Sequence, residues 1–446
     1  MNTHRYLPWF FGLGVFLGIA GCQKSSQPIV RTVLPNGLTV LVKTVPGTPV
    51  AAIHLMVGRR LALEKKPGES VLTQMLLTKG AGDLDRAAIA QTLESLGARV
   101  KTVDNPYIPF DDYYNSRDYA YVRLEVLDEN LFPALDLFHT MVTSPTFPQD
   151  EIRRAKQRLT LQLKENERVP RWVARNKFYA LLYPGTPLAR PLEGTLEGVH
   201  SIERSDLVAY HQRAYVPRNC ILAVVSSAPA QEVLSKIREL FGPWQGAGEA
   251  PGAPPPPQPT EKRESIVFLD NDRADIYMGT TIPPIQHEDI PALRVAAMVL
   301  SYRMSNVLRE QRGLAYRLGA FTEFFNDYGG LFGITMGTSS DQFQEARDGI
   351  LEVLRSLIEE PPTPQELRRV VNAQWGSFLR YHQRKINQAY YLSLYEYLGV
   401  GYAYDLQQIE ALRKVTPDDV VRVVQKYLTP DRLVLSAAGR IQKNKE

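Results

Sequence analysis

The residues that could do chemistry begin with the segment Gly68 to Ala81, which reads GESVLTQMLLTKGA. On a helix, Val71 and Met75 share one face, because they lie four residues apart, the spacing that two metal-binding imidazoles need. Zinc takes nitrogen, oxygen or thiolate donors, however; valine has none, and a methionine thioether is too soft and neutral for such a site. Gln74 lies between them and cannot accept a proton from a metal-bound water. The segment therefore has the spacing of a metal site without its donors.

An ordinary core helix is the alternative interpretation of this segment. Its apolar residues form one continuous stripe, and most stripes of that kind pack into a core: Val71, Leu72, Met75, Leu76 and Leu77. The segment alone does not decide between the two interpretations, so the rest of the chain must.

The segment closely resembles the zinc helix of the insulinase/pitrilysin/processing-peptidase family, the inverzincins. The family pattern there is roughly G-x-x-H-x-x-E-H-x-x-x-K-G-T, and an ungapped match puts the first histidine on Val71, the catalytic glutamate on Gln74 and the second histidine on Met75. The family's last zinc ligand, a glutamate on a later helix, falls on Gln162 when counted from Phe147. A neighbouring position remains open for this ligand because residues are inserted around 103–116. The resemblance implies that this chain holds no metal and no cofactor of its own.

A second motif lies in the other half of the chain, where residues 308–316 read LREQRGLAY. It matches the family pattern L-R-E-x-x-G-L-A-Y, whose arginine and tyrosine reach towards the zinc site of the facing half. These residues are Arg309 and Tyr316 here. A guanidinium can hold a peptide carbonyl or carboxylate with several donors, and a phenol can add one more. The resemblance implies a substrate-binding pair; taken alone, the motif also fits a structural ion pair and a core tyrosine.

The composition indicates a globular chain of two domains. At 446 residues and 44% hydrophobic content, the chain is too long for one ordinary core. The formal net charge of +4 gives no reason to expect a nucleic acid as a partner. No Ser/His/Asp arrangement or G-x-S-x-G element suggests a zinc-independent hydrolase, and Cys220 lies in an apolar run that predicts a buried strand.

The first 22 residues are typical of a lipoprotein signal peptide. Arg5 precedes the apolar run Leu7 to Ala20, which is too short to span a bilayer and has the length of a signal-peptide core. The run ends in Ile-Ala-Gly-Cys, which resembles a bacterial lipobox, so we expect cleavage before Cys22 and lipidation of its thiol. Gln23 departs from the aspartate associated with inner-membrane retention, so the resemblance implies an outer-membrane destination facing the periplasm. An ordinary cleaved signal with an incidental cysteine is the alternative.

The mature chain divides into two similar parts. A Pro/Gly-rich stretch predicts a linker over residues 244–262, between an N-terminal domain at 23–243 and a C-terminal domain at 263–446. The first part contains FPQDEIRR at 147–154 and the second TPQELRR at 363–369. A longer ungapped echo relates 202–225 to 415–438, each with a capped helix that begins near Ser205 or Thr416. We expect a duplicated α+β domain, with a mostly antiparallel sheet layered with helices in each copy, and a bowl or half-clamshell overall.

These features predict a catalytically incomplete subunit of a two-chain zinc peptidase that acts on peptides or unfolded segments. The expected partner is a sibling chain of the same family that carries the zinc, while this chain supplies Arg309 and Tyr316. The alternative is a membrane-tethered pseudopeptidase that serves as a peptide-binding or assembly scaffold. In that case, Arg309 and Tyr316 are structural remnants.

Overall fold

The computed structural model describes residues 29–103, 116–246 and 263–441. Cys22, most of the predicted linker and most of the insertion after Val103 lie outside these residues. The first half contains β1 (Val30–Val33), β2 (Thr39–Thr44), β3 (Val50–Val57), α1 (Glu69–Leu76), β4 (Gly80–Ala81), β5 (Leu84–Asp85), α2 (Arg86–Ser95), β6 (Arg99–Lys101), β7 (Ala120–Leu127), α3 (Leu131–Thr143), α4 (Gln149–Asn166), α5 (Pro170–Leu182), α6 (Leu196–Ser201), α7 (Arg204–Ala214), β8 (Cys220–Ser226) and α8 (Ala230–Phe241).

The second half repeats much of this order. It contains β9 (Arg263–Phe268), β10 (Arg273–Ile282), α9 (Ile290–Met304), a π-helical segment (Ser305–Gln311), β11 (Arg317–Phe325), β12 (Gly329–Ser339), α10 (Phe343–Glu359), α11 (Pro364–Tyr381), α12 (Lys385–Tyr397), α13 (Tyr404–Arg413), α14 (Pro417–Tyr427) and β13 (Val434–Gly439). None of the helices within the described ranges is both long and apolar enough to cross a bilayer.

Apart from the additional edge strand β1 of the first, the two large sheets have the same topology. The first has the strand order β1-β2-β8-β3-β7-β6, and the second, taken in reverse, has β9-β13-β10-β12-β11. Strand β2 is parallel to β8, as β9 is to β13, and β3 and β10 each have antiparallel neighbours on both sides. The shared order agrees with the domain duplication expected from the sequence echoes and makes the fold α+β.

Helices cover both faces of each sheet. Successive side chains of a strand therefore pack against helices on opposite faces. In β3, Ile53 and Leu55 pack into the core beneath α3 and α8, while Ala52 and Met56 pack towards α12. Strand β10 follows the same rule, with Ile276 directed to the core beneath α9, α10 and α14. Strand β3 is therefore an almost continuous apolar run, interrupted by His54, whereas β10 also carries charged and hydroxyl side chains.

The two halves exchange helices across their sheets. Helix α12 belongs to the second half and covers β3 and β8 of the first, whereas α5 belongs to the first half and covers β9, β10 and β13 of the second. Phe178 of α5 is fully buried and lies 5.9 Å, centroid to centroid, from Tyr277 of β10. Burial of an aromatic side chain of this size is worth about 2 kcal/mol. The exchange holds the halves together through core packing.

Candidate functional site

The predicted zinc helix is α1, and its first turn is held by close contacts. Gly68 has φ of 111° at the position before the helix, a conformation that glycine adopts without strain. Glu64 accepts hydrogen bonds from the backbone N–H of Ser70 at 2.8 Å and of Gly68 at 3.3 Å, which satisfies donors that a helix start leaves open. A Cβ on Gly194 would lie 2.6 Å from the Gly68 Cα. The helix is thus set rigidly against the backbone around residue 194.

Apolar side chains fill the space beside Val71. This residue is 9% exposed and belongs to a buried cluster built from α1, α4, α6 and α7. Met75 is partly buried and packs against the same cluster. The members contributed by α4 lie on one face of that helix: Ile152, Ala155, Leu159 and Leu163. The positions matched to the two histidines are therefore part of a hydrophobic core.

Gln74 is tied to the backbone rather than to a ligand. Its side chain is 2% exposed, and its amide nitrogen donates to the carbonyl oxygens of Thr102 at 2.6 Å and Tyr121 at 3.4 Å. Its amide oxygen has no hydrogen-bond partner among the described residues. A carboxylate in this place would have no N–H to donate to those two carbonyls, so the carboxamide suits the local structure.

Gln162 lies on α4, as predicted, and is partly buried. It follows Leu159 by three residues, so it lies near the face of α4 that packs on α1. Among the residues that the structure describes, no group of three or more His, Cys, Asp or Glu side chains could hold a metal ion. The side chains at 71, 75 and 162 do not fit zinc, because a valine, a thioether and a carboxamide do not make a zinc donor set.

A buried charged cluster lies directly behind α1, and the sequence did not reveal it. Glu69 is 1% exposed and accepts a hydrogen bond from Arg213 at 3.1 Å, and Arg60 donates to the Ser70 hydroxyl at 2.9 Å. Burial raises the pKa of Glu64 to about 7 and also raises the pKa of Glu69. No motif marks these residues, and Arg213, the partner of Glu69, comes from the distant helix α7. They position α1 and do not form an open site.

The predicted substrate pair, Arg309 and Tyr316, lies in the second half of the chain. Arg309 is in the π-helical segment, and its side chain is 54% exposed, with Glu310 as its ion-pair neighbour at 3.5 Å. The segment ends at Gln311, and two residues later the N–H of Gly313, which has φ of 64°, donates to the Arg309 carbonyl at 3.2 Å. Local π-helical geometry is frequent at functional sites. The guanidinium is available to a ligand.

Tyr316 stands immediately before β11 and is 58% exposed. A Cβ on Gly337 would lie 3.4 Å from an edge carbon of its ring, so the ring packs on β12 at this glycine. The Arg273 guanidinium carbon lies 5.5 Å from the ring centroid. An exposed tyrosine on a rigid strand end can donate its O–H to a bound peptide. The interpretation of Tyr316 as a core residue does not fit this exposure.

Two family models match consecutive parts of the chain. Residues 39–196 match the model described as insulinase (peptidase family M16), and residues 201–374 match the model described as peptidase M16 inactive domain. Together the two matches span more than half of the chain. The chain belongs to the insulinase family. Its sequence follows the pattern of the family's zinc helix, but Val71 and Met75 occupy the positions of the two histidine ligands.

Relatives and solved structures agree with this family. An uncharacterized zinc protease of Bacillus subtilis (strain 168) is 25% identical over 357 residues, which cover 79% of this chain and 84% of the relative. Subunit 1 of the human mitochondrial cytochrome b-c1 complex is 26% identical over 49% of this chain and 44% of its own length. A peptidase M16 inactive domain structure from Pseudomonas fluorescens has a TM-score of 0.84 at 21% identity and covers 94% of this chain and all of that one. The insulinase fold extends over nearly all of the chain.

Proposed function

We propose that this chain is the non-zinc subunit of a two-chain insulinase-family peptidase that acts on peptides or unfolded protein segments. The partner is a sibling of the same family that carries the zinc ligands. This chain contributes Arg309 and Tyr316 to the binding of the substrate backbone. The observation that carries the proposal is the contrast between the two motifs: the zinc positions are filled with core side chains, whereas Arg309 and Tyr316 are exposed.

The exposed pair suits a peptide that binds in an extended form. The Arg309 guanidinium presents several N–H donors, and the Tyr316 hydroxyl presents one more, so both can donate to carbonyl oxygens of a peptide backbone. Backbone contacts of this kind bind many sequences, which suits unfolded segments. The side chains at 71, 74 and 75 supply neither metal nor base, so no hydrolytic step is assigned to them.

We also propose that the mature chain is anchored to the cell envelope, at the outer membrane facing the periplasm, by lipid on Cys22. Several acyl chains on one cysteine hold a protein firmly to a membrane without crossing it. Cys22→Ser should release the protein from the membrane fraction and abolish incorporation of labelled palmitate. Incorporation in the variant equal to that of the parent would contradict the anchor.

The experiment that tests the peptidase proposal reconstitutes the pair. The chain without its first 22 residues is mixed with a zinc-bearing sibling of the same family from the same genome, and cleavage of an unstructured fluorogenic peptide is measured. The sibling and this chain are each expected to be nearly inactive alone and active together. Arg309→Ala should lower kcat/KM of the pair by about 10²-fold, since it removes charge-assisted hydrogen bonds to the bound peptide.

Arg153→Ala is the matched control. Arg153 is an exposed arginine whose guanidinium pairs with Asp150 at 2.6 Å within its own helix, so its loss should leave kcat/KM unchanged. A sibling that works equally well without this chain would overturn the proposal. So would an Arg309→Ala pair as active as the parent pair, an outcome that favours the scaffold alternative.

A further inference from the structure

A cluster of arginines surrounds one buried carboxylate next to Tyr316. Asp275 of β10, Gly337 of β12 and Arg317 of β11 occupy the same row across three neighbouring strands. Because Gly337 has no side chain, Arg317 reaches across it and donates to the carboxylate of Asp275, which is 5% exposed. In this ion pair the Asp275 carboxylate is buried, whereas the Arg317 side chain is partly exposed. The pair neutralises one arginine of the cluster.

Two further arginines lie around the same carboxylate. Arg171, at the start of α5, and Arg273, at the start of β10, are close enough for their charges to act on Asp275. Both are exposed, and neither guanidinium forms an ion pair with a carboxylate in the described part of the chain. The neighbouring Asp272 does not neutralise Arg273, since its carboxylate pairs with Arg440 at 2.5 Å. One carboxylate thus faces three cations.

A cavity of about 330 Å³ opens beside this cluster. Its walls combine Arg273, Tyr316 and polar groups of β12 with two apolar residues: Leu314 and Ala315. Thr338 in its lining is 3% exposed, and its hydroxyl has no hydrogen-bond partner among the described residues. The space suits one amino-acid side chain.

We infer that the cavity beside Tyr316 is a subsite for a carboxylate of the bound peptide, held by Arg273, with the nearby charge of Arg171 adding to the attraction. The inference rests on the proposed function and specifies its substrate class, peptides that carry negative charge next to the segment held by Tyr316. Guanidinium groups bind carboxylates through paired N–H donors. The carboxylate comes either from an Asp or Glu side chain or from the peptide's C-terminus. Both offer the same chemistry to the two arginines.

The test measures binding of fluorescent peptides to this chain alone, by anisotropy. One peptide series differs only in a single Glu, Gln or Lys, and each member is made with a free and an amidated C-terminus. The Glu peptide should bind about tenfold more tightly than the Gln peptide at low salt, and the preference should shrink as ionic strength rises. A preference that follows only the free C-terminus assigns the subsite to the terminal carboxylate. Equal binding of all members overturns the inference.

Charge variants locate the subsite. Arg273→Gln combined with Arg171→Gln should abolish the preference, whereas Arg273→Lys should keep most of it. Arg153→Gln alters the net charge by one unit outside the cluster and should leave the preference intact. Both substituted arginines are exposed, so a thermal melt should confirm that the variants fold. If the double variant retains the full preference, the arginines do not hold the carboxylate.

The outcome is separable from that of the peptidase proposal. Cleavage by the pair that depends on Arg309 but ignores the peptide's charge would leave the function standing and overturn the subsite. Charge-selective binding that depends on Arg273, without cleavage in any pairing, would leave the subsite standing and overturn the peptidase function.

Discussion

His54 and Ser393 join the two halves of the chain by a hydrogen bond of 2.9 Å between the imidazole Nδ1 and the hydroxyl. His54 lies on β3 of the first sheet, and Ser393 lies on α12 of the second half. Both side chains are almost completely buried. The ring of Tyr390 meets the imidazole edge-on, with centroids 5.6 Å apart. The polar contact therefore sits inside the interface made by the exchanged helix, where an unpaired partner would be costly.

The burial of His54 should make the stability of the protein depend on pH. Burial, with a smaller effect from Arg123, lowers the pKa of His54 to about 3, whereas the unfolded value is 6.5. Because the folded value is depressed, the stabilisation is complete above pH 6.5 and is lost as the pH falls towards 3. The free energy of unfolding of the parent, relative to His54→Asn, should fall by about 1.4 kcal/mol per pH unit below 6.5.

Urea unfolding of both proteins between pH 8 and pH 4 measures this difference. Ser393→Ala is the control, since it removes the hydrogen bond and leaves the titrating imidazole buried; its difference from His54→Asn should show the same slope. A parent-minus-variant difference that stays constant from pH 7 to pH 4 would rule out a buried neutral histidine.

Glu64 should make the stability of the protein depend on pH in the direction opposite to His54. Burial raises the pKa of its carboxyl to about 7, against 4.5 in the unfolded chain, and the hydrogen bond from Ser70 offsets this only in part. The stabilisation from a raised pKa is complete below pH 4.5 and is lost as the pH rises through 7. Glu64→Gln removes the charge that is costly to bury. The variant should therefore gain about 3 kcal/mol relative to the parent between pH 4 and pH 8.

The comparison of the two pH values cancels any fixed cost of the new amide against its neighbours. Thermal melts at pH 4 and pH 8 are sufficient, provided that both proteins refold. If the stability of Glu64→Gln relative to the parent is lower at pH 8 than at pH 4, the native fold stabilises the carboxylate as an anion and the assigned direction is wrong.

Local signals predicted many elements accurately. The apolar run Val50–Val57 predicts a strand, and the pattern of Gln149–Asn166 predicts a helix; both elements have those bounds in the structure. The sequence also predicts that Asp85 caps a helix that closes at Gly97, and its carboxylate does cap α2, accepting from the Ala88 N–H at 2.8 Å. The cap predicted at Ser205 was wrong: α7 begins one residue earlier, after Glu203, whose N–H donates to Asp206 at 2.7 Å. Each of these features depends on neighbours a few residues away.

The remaining features depend on residues that are far apart in the chain. Nothing near residue 385 indicates that α12 covers the first sheet, because that packing requires both halves to be folded. The row of Asp275, Gly337 and Arg317 depends on strand register, which short motifs do not encode. The motif predicted Tyr316 as a candidate, whereas the arginines around it became visible only once the sheet was assembled.

Gly194 should be required for the close packing of the start of α1 against the backbone around residue 194. A Cβ there would lie 2.6 Å from the Gly68 Cα and 2.8 Å from the Pro67 carbonyl oxygen, and its φ is 86°. Gly185 has a similar φ of 75° with open space around it, so it isolates the cost of the backbone conformation. Gly185→Ala should cost about 1 kcal/mol, and Gly194→Ala at least about 2 kcal/mol more. Chemical unfolding measures both, and equal costs would show that the close approach is relieved by a small shift.

Restored donors should convert the frame of α1 into a zinc site. The full variant carries four substitutions: Val71→His, Gln74→Glu, Met75→His and Gln162→Glu. Without metal it should be less stable than the parent, since an imidazole replaces Val71 in an apolar cluster, at a cost of about 2 kcal/mol. Zinc at a hundred times its Kd should then stabilise the variant by about 3 kcal/mol, and a chelator should reverse the gain.

The parent chain is the first control in this experiment, and its melting temperature should not respond to zinc. A variant that keeps Gln162 and carries the other three substitutions is the second, because it tests the register of the last ligand. Weaker zinc stabilisation of this triple variant would place the family's glutamate at position 162, as the count from Phe147 predicts. Equal stabilisation would move that ligand to a neighbouring residue of α4. A zinc response in the parent would contradict the assignment of Val71, Gln74 and Met75, because these side chains supply no donor that could produce it.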